Sequence, residues 1–432
     1  MTPRQIRFVH FADVHLGFKQ YGLAERAEDF TRAFGSVITY CRQVRPDFVI
    51  LAGDLFDSKS IDPRTYADAD AGLALLAQDG IPVVAVEGNH ERWFRRGERS
   101  WLWQLSRSNR LRLLQQIDPE QEGLTWRPWT AERGHGAYTD IGPVRIFGVE
   151  YLGARLPDHL PRVIEAAQAT PADGVQFRIG VLHTGVDEES PGGKGGAAAA
   201  DVLQLRDVAD YLALGHIHYR YEIPIENPWI FNPGALEAHS VTEGLMGEPG
   251  LAGAGRERGL YDVTVELGDR PRIDARFRGD VVERRPFMRL AIDVTGTEGF
   301  AALRQQVADS LGPPPPASQP RPMVEILLRG VLGFERAALD QPALLELVQD
   351  QFNPLHARVT VHVERTLGAG MRVRTGSRGQ IERDVVRELL AQEPGLAAEA
   401  ETLAERTLEL KRSVLEGQDE ESLASIVEAT LP

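Results

Sequence analysis

The sequence predicts an α/β fold whose buried strands carry their chemistry at their carboxyl ends. Two observations lead there. Six short apolar runs each end in residues able to hold a metal: 8–15 (FVHFADVH), 48–57 (FVILAGDLFD), 83–91 (VVAVEGNHE), 179–184 (IGVLHT), 212–218 (LALGHIH) and 230–237 (IFNPGALE). Between the first three lie segments of helical period, and this βαβ rhythm means parallel strands with helices outside, joined by right-handed crossovers.

Apolar, partly β-branched runs of this length bounded by Gly or Pro read as fully buried strands. Ligands of such sheets collect beyond the carboxyl ends of the strands. Asp13, His15, Asp54, Asn89, His90, His183, His216 and His218 all fall there. A single His beside an apolar strand reads as a hydrogen-bonded core residue. Five of the eleven histidines at such tips, each tip also carrying Asp, Asn or Gly, do not.

In chain order, strand 7–11 leads through a Gly-containing loop to an amphipathic helix over 25–45, with Phe30, Ala33, Phe34, Val37, Ile38 and Cys41 on one stripe and Pro46 as its stop. Strand 48–51 delivers Gly53 and Asp54, helix 63–78 follows, and the third strand, within the run 83–91, delivers Asn89 and His90. The stretch 101–114 is predicted helical and carries Trp101, Leu102, Trp103, Leu105, Leu111, Leu113 and Leu114, a density that suits either core or self-association. Trp126 and Trp129 are expected to pack a turn-rich segment over 118–142. Strands near 144–151, 178–182, 211–214, 229–231 and 260–267 complete a second half of the sheet system. The Gly- and Ala-rich run 188–200 is expected to be a mobile loop, since its GGKGG does not meet the spacing of a phosphate-binding GxxxxGK[ST] loop.

The domain reading is 1–275 for the first unit, 285–365 for a small α+β unit, 366–380 for a Gly- and Arg-rich linker and 381–432 for helices. The apolar stripes of that last region, among them Val385, Val386, Leu389, Leu390, Leu403 and Leu408, must either fold back or dock on a partner, and the linker before them favours docking.

The composition, 42% hydrophobic and 26% charged over 432 residues, is that of a globular chain of two or three domains. No run approaches the ~18–20 apolar residues of a membrane span. An amino terminus that passes directly into a strand, together with a single cysteine, Cys41, predicts a cytoplasmic protein. A net charge of -15 argues against binding nucleic acid through bulk positive charge. Two local basic patches stand out: Arg92, Arg95, Arg96 and Arg99, read as a polyphosphate contact because they abut a metal tip, and Arg276, Arg278, Arg284, Arg285 and Arg289.

Carboxylate, imidazole and amide ligands without thiolate suit manganese, iron or zinc in a mixed nitrogen and oxygen site. Six or seven ligands exceed what one ion takes with positions left open for substrate, so two ions are expected, ~3.5–4 Å apart. Asp54 is the natural bridge. His90, adjacent to Asn89, cannot easily face the same ion and is read as a proton donor to a departing alkoxide. Asp57 either orients the His90 ring or caps a helix.

Asp13-x-His15, Gly53-Asp54-x-x-Asp57, Gly88-Asn89-His90-Glu91, His183 and Gly215-His216-x-His218 resemble the calcineurin-like metallophosphoesterase superfamily. Within it, GDLFD, GNHE and FADVHLG look like the SbcD-type nucleases of double-strand-break repair. The resemblance covers about 1–275 through its motifs and the rest loosely. It implies a four-layer sandwich of two mixed sheets flanked by helices, with a small α+β capping domain that contacts DNA. It implies that Asp13, His15, Asp54 and His218 hold one manganese, and Asp54, Asn89, His183 and His216 the other, with His90 assisting cleavage. Asp57 stands where some relatives have a His that pairs with the catalytic one. The resemblance further implies a homodimer through helices near 65–114 and terminal helices that grip an SbcC-type coiled-coil ABC ATPase. Two alternatives remain beside the DNA nuclease: a phosphodiesterase or phosphatase on small substrates, and a non-catalytic scaffold at DNA ends.

Overall fold

The alternation of the apolar runs is resolved in space by stacking two sheets face to face. Along β1, Ile6 and Phe8 point to one side and Val9 and Phe11 to the other, and all four are buried. A strand buried on both faces needs a layer on each, and the chain supplies a second sheet on one side and helices on the other.

The computed structural model describes residues 4–92, 98–116, 125–187, 196–244, 257–313, 316, 320–365, 378–391, 396 and 399–415. The chain runs β1 (Gln5–Phe11), α1 (Ala24–Val44), β2 (Phe48–Leu51), α2 (Pro63–Gln78), β3 (Val83–Ala85), α3 (Trp101–Arg107), β4 (Arg112–Leu113), β5 (Tyr138–Ile141), β6 (Val144–Val149), α4 (Leu156–Ala169), β7 (Phe177–His183), β8 (Gly185–Val186), β9 (Gly196–Ala197), α5 (Ala199–Leu203), β10 (Tyr211–Gly215), β11 (Tyr221–Ile223), β12 (Ile230–Asn232), α6 (Val241–Gly244), β13 (Leu260–Glu266) and β14 (Arg272–Arg278). There follow β15 (Phe287–Asp293), α7 (Phe300–Ser310), β16 (Met323–Leu332), α8 (Gln341–Phe352), β17 (His356–Arg365), α9 (Arg378–Ala391) and α10 (Ala400–Leu415).

The first sheet has the order β14-β13-β1-β2-β3-β4 and the second β11-β12-β10-β7-β6-β5. Both are mixed. β1 to β4 are parallel while β13 joins β1 antiparallel, and β6, β7, β10 and β12 are parallel with β5 and β11 antiparallel at the edges. Between the sheets Phe8 stacks on Phe48 at 5.1 Å and meets Tyr211 edge-on at 5.0 Å. The outer face of the first sheet packs under α1, α2 and α3, and that of the second under α4 and α5. The architecture is therefore the predicted α/β sandwich of two mixed sheets flanked by helices.

Local chemistry explains the element ends. α1 buries its Phe30, Phe34, Val37, Ile38 and Cys41 stripe and stops at Arg45, whose left-handed backbone returns an N–H to the Cys41 carbonyl ahead of Pro46. α2 begins at Asp62, which accepts the Thr65 N–H at 2.8 Å, with Pro63 at the first helical position. Asp57 is thus not a helix cap. The helix expected over 101–114 ends at Arg107, because Asn109 turns left-handed (φ 57) and Leu111, Leu113 and Leu114 are drawn into the sheet cores. Much of the apolar density that suited either core or self-association is core, with Trp101 left 39% exposed. Residues 188–195 of the expected loop lie outside the described residues; beyond them, Gly196–Ala197 pairs with Gly185–Val186 and Ala199–Leu203 is helical. α4 had no counterpart in the sequence reading, where Pro157 and Pro161 mask its period; it buries Leu156, Leu160 and Val163. β14 carries the first sheet on to Arg278, past position 275.

Met1–Val363 form one compact unit and Glu364–Pro432 a second. Within the first, β15, β16 and β17 make a three-stranded sheet with α7 and α8 around Ile292, Leu303, Ile326, Leu344 and Val348. The link from β14 to β15 is fastened by Arg285, whose guanidinium grips the buried carboxylate of Asp29 on α1 at 2.5 and 2.8 Å and bonds the Arg321 carbonyl. In the second unit, α9 and α10 are joined by Arg387–Glu401 (3.2 Å) and Arg383–Glu405 (3.5 Å), leaving Val385 and Leu389 exposed. α9 begins at Arg378, inside the stretch read as linker. No described helix is long and apolar enough to cross a membrane.

Candidate metal centre

The tips of β1, β2, β3, β7 and β10 converge, and the backbone bends sharply to achieve it. Asp13 (φ 53), His15 (φ 51), Asp54 (φ 53) and His216 (φ 94) all adopt the left-handed region, which costs roughly 1–3 kcal/mol for each such non-glycine residue. The bends are locked by backbone bonds across the tips: Asp13 N–H to the Gly53 carbonyl (3.1 Å), and Val14 and His15 N–H to the Asp54 carbonyl (2.8 and 3.0 Å). Glu91 adds a third tie, its buried carboxylate accepting the N–H groups of Phe56 (2.8 Å) and Gly88 (3.2 Å). Burial, with Asp54 nearby, holds that carboxyl well above the usual range. The sequence marks Glu91 only as part of a motif; its work is to staple two tips together.

Asp54 stands at the centre. Its Oδ2 lies 3.1 Å from His183 Nε2 and 3.8 Å from His15 Nε2, while Oδ1 accepts the His90 backbone N–H at 3.0 Å. Burial raises its pKa, but His183 and His90 outweigh that and leave it lowered. Asp13 is also wholly buried, with both oxygens 3.0 Å from the His216 N–H, and there desolvation wins and raises its pKa. His183 gives its Nδ1 proton to the Ala52 carbonyl at 2.8 Å, so Nε2 faces Asp54 and the Asn89 Oδ1, 3.2 Å away. Burial lowers the His183 pKa, but the Asp54 and Asp13 carboxylates outweigh that and raise it to about 9. His216 Nδ1 sits 2.9 Å from the same Asn89 oxygen, its pKa pushed down to about 3 by burial and by His183.

His15 is fully buried, and neither ring nitrogen has a hydrogen-bond partner. An imidazole hidden from water, with no hydrogen bond at either nitrogen and carboxylate oxygens 3.4 and 3.8 Å away, fits the role of a metal ligand. Three groups of side chains have ligand atoms mutually within 4.8 Å: Asp13, Asp54 and His183; His15, Asp54 and His90; and His15, His218 and His239. The donor set of carboxylate, imidazole and amide, with Cys41 buried under α1, fits divalent cations in a mixed nitrogen and oxygen environment.

All nine residues singled out from the sequence lie in or beside this cluster. His90 binds the Asp57 backbone carbonyl through Nδ1 at 2.7 Å, whereas the Asp57 carboxylate lies 3.7 Å from His90 Nδ1 and 3.4 Å from His15 Nδ1. The expected orientation of His90 by Asp57 is thus made by main chain. Burial raises the Asp57 pKa to about 6. Two groups here escaped the sequence reading: His239, and Glu243, whose carboxylate lies 3.3 Å from His218 Nδ1. His239 lies in the loop after a strand tip and Glu243 in the single helical turn that follows, a context without periodicity.

The basic patches fare differently. Arg95 and Arg96 lie outside the described residues, and Arg92 is buried, 3.5 Å from Glu150 and bonded to the Tyr151 carbonyl, so it is not presented to a polyphosphate. In the second patch, Arg276 pairs with Asp274, Arg278 with Asp280, Arg285 with Asp29 and Arg289 with Glu325, and Arg284 is spent on the carbonyls of Leu236, Gly279 and Arg258.

Stacked mixed sheets with this cluster at their carboxyl edge define a phosphoesterase domain of the calcineurin-like type, and the calcineurin-like phosphoesterase family matches residues 6–220. Residues 6–220 are a domain of that family. Among whole proteins, the chain is 31% identical over 240 residues to the DNA double-strand break repair protein Mre11 of Archaeoglobus fulgidus, covering 55% of this chain and 52% of that protein. It is 29% identical over 294 residues to the protein of the same name from Aeropyrum pernix, covering 67% and 64%. It is 26% identical over 361 residues to the uncharacterized metallophosphoesterase YhaO of Bacillus subtilis, covering 80% and 78%. The chain therefore spans between half and two thirds of the length of these two archaeal proteins. A solved structure, the calcineurin-like phosphoesterase YfkN from Bacillus subtilis, is similar with a TM-score of 0.40 at 12% identity over 71% of this chain and 97% of that one.

Proposed function

We propose that this protein is a metal-dependent DNA nuclease of double-strand-break repair, cutting phosphodiesters as an exonuclease at duplex ends and as an endonuclease on single strands or hairpins. The observation that carries the reading is the position of Asp54, which belongs to two ligand groups at once. In this reading Asp13, His15, Asp54 and His218 hold one divalent cation and Asp54, Asn89, His183 and His216 the other. Manganese is the first choice, with iron or zinc as alternatives. When bound, such a pair supplies Lewis acidity toward the phosphoryl oxygens and the attacking water.

The protein groups supply position and proton transfer. The Ala52 carbonyl fixes the His183 tautomer, and Glu243 does the same for His218 by taking its Nδ1. With His90 Nδ1 committed to the Asp57 carbonyl, proton exchange with the leaving oxygen is confined to Nε2. The archaeal relatives named for double-strand break repair support DNA as the substrate. The exposed Val385 and Leu389 support docking of a coiled-coil ABC ATPase of the SbcC type on the terminal helices. A homodimer through the helices near 65–114 and a cytoplasmic setting belong to the same reading.

The test pairs two substrates. Purified protein with manganese should shorten end-labelled duplex DNA and also hydrolyse bis-p-nitrophenyl phosphate. Hydrolysis of the small ester alone would overturn the DNA assignment in favour of a phosphodiesterase on small substrates, and hydrolysis of neither would leave a non-catalytic scaffold.

A further inference from the structure

His239 lies against the metal centre in a way that packing alone does not explain. Its ring centroid is 3.9 Å from that of His15 and 4.5 Å from that of His218. A ring nitrogen of each of the three lies within 4.8 Å of the others. Phe18 and Phe30 pack on the outer side of the ring at 4.5 and 5.3 Å, yet the His239 Nε2 is shut off from solvent with no hydrogen-bond partner. A His that served only to fill space beside two phenylalanines would leave that nitrogen unsatisfied for nothing.

The segment bearing it is held in place on purpose-built contacts. Gln20 on the loop after β1 donates to the His239 carbonyl at 2.8 Å. The His239 N–H donates to Glu243 Oε2 at 2.9 Å, and Ser240 caps the same turn by accepting the Glu243 N–H at 3.1 Å. That Glu243 carboxylate also faces His218 Nδ1 at 3.3 and 3.4 Å. One carboxylate thus sets both the ring orientation of His218 and the main-chain position of His239. With Nδ1 of His218 taken, Nε2 is the nitrogen left to it as a ligand.

We infer that His239 is an additional metal ligand, completing a three-imidazole subsite with His15 and His218 beside the carboxylates of Asp13 and Asp54. This rests on the two-cation reading of the centre and goes beyond it by making the two subsites chemically unequal. Beside the shared Asp54, the subsite of Asn89, His183 and His216 has an amide oxygen and two imidazoles. Beside Asp54 and Asp13, the subsite with His239 has three imidazoles. Imidazole favours iron and zinc, whereas carboxylate, carbonyl and water favour manganese and magnesium. The extra imidazole therefore makes the His239 side more favourable to iron or zinc than the other, and the centre is suited to a mixed pair.

The experiment is metal binding to the full chain, with no substrate present. Wild type, His239→Ala and His239→Gln are stripped of metal and titrated calorimetrically with Mn2+ and Zn2+, and Mn2+-loaded samples are read by pulsed electron paramagnetic resonance for imidazole nitrogen couplings. Melting of the metal-free proteins shows whether each variant folds, and whichever does is carried forward. The expected result is that one of two sites weakens by about tenfold or more, that its preference for Zn2+ over Mn2+ shrinks, and that one nitrogen coupling disappears. Free imidazole should restore the site in His239→Ala. Unchanged affinity with unchanged couplings overturns the inference; so does weakened affinity with every coupling retained, which would make His239 a positioning residue for His15. Failure of the wild type to bind two ions would instead sink the two-cation reading itself.

Discussion

His90 is anchored through the main chain of Asp57: its Nδ1 lies 2.7 Å from the Asp57 carbonyl oxygen and 3.7 Å from the carboxylate. The two substitutions this relationship invites have unequal consequences. His90→Ala should lower kcat on bis-p-nitrophenyl phosphate by roughly 10²–10⁴-fold while two metal ions are retained, because its backbone N–H to Asp54 survives. Asp57→Asn keeps the carbonyl and should cost less than about tenfold. Equal losses in the two variants would show that the carboxylate, not the carbonyl, is the working group.

Asp54→Asn should be the most damaging ligand change. Asp54 faces His183 and His15 and receives the His90 N–H, so its charge serves every part of the cluster. Metal content measured by plasma mass spectrometry should fall at both subsites. Retention of two tightly held ions would remove Asp54 from the bridging position.

A substitution that replaces no ligand should also weaken the centre. Gly53 has φ 90, and a Cβ there would stand 2.2 Å from His183 Nδ1. Gly53→Ala should therefore push the His183 ring off the Ala52 carbonyl and weaken metal binding by about 10–100-fold, the scale of losing a ligand's outer support. Calorimetric titration checks it, and normal affinity in a folded variant would mean the tip can relax.

Away from the metal, Arg285 and Asp29 hold the three-stranded domain to α1. Burial pushes the Asp29 carboxyl up, but the hydrogen bonds from Arg285 and Arg32 and the charge of Arg26 outweigh it and leave the pKa below the usual value. A lowered carboxyl contributes stability that is whole above its unfolded value of ~3.9 and is lost as pH falls through the folded one. Arg285→Ala should cost about 3 kcal/mol near neutrality. Urea unfolding should show the gap to wild type constant above about pH 5 and shrinking below about pH 4. A gap that widens in acid would contradict this account.

The ligand tips were legible because each combines two signals, an apolar run and a chemically able residue at its end, and all nine chosen side chains reach one place. The buried strands with helices outside followed from runs apolar on both faces, whereas the four-layer sandwich came from the resemblance. What the sequence hid was spent polarity. Arg92 reads as a free cation beside a metal tip, yet it is buried against Glu150, a partner no local pattern reveals. His239 and Glu243 sit after the last tip in a segment with neither strand nor helix period, so only the fold brings them to His15 and His218. α4 was missed because its prolines read as breakers, although Pro157 occupies the tolerated first turn.

β1 leads into Asp13 and His15 and lies between β2, made soon after it, and β13, whose Leu260–Glu266 pairs with it from the far end of the domain. During synthesis the edge of β1 therefore stays unzipped until the ribosome has passed position 266, and a nascent chain halted before Leu260 exposes a row of unpaired main-chain groups to any neighbouring strand. Ribosome-bound chains of increasing length should gain protease resistance only once β13 has cleared the exit tunnel, so the centre is among the last features of its domain to be finished.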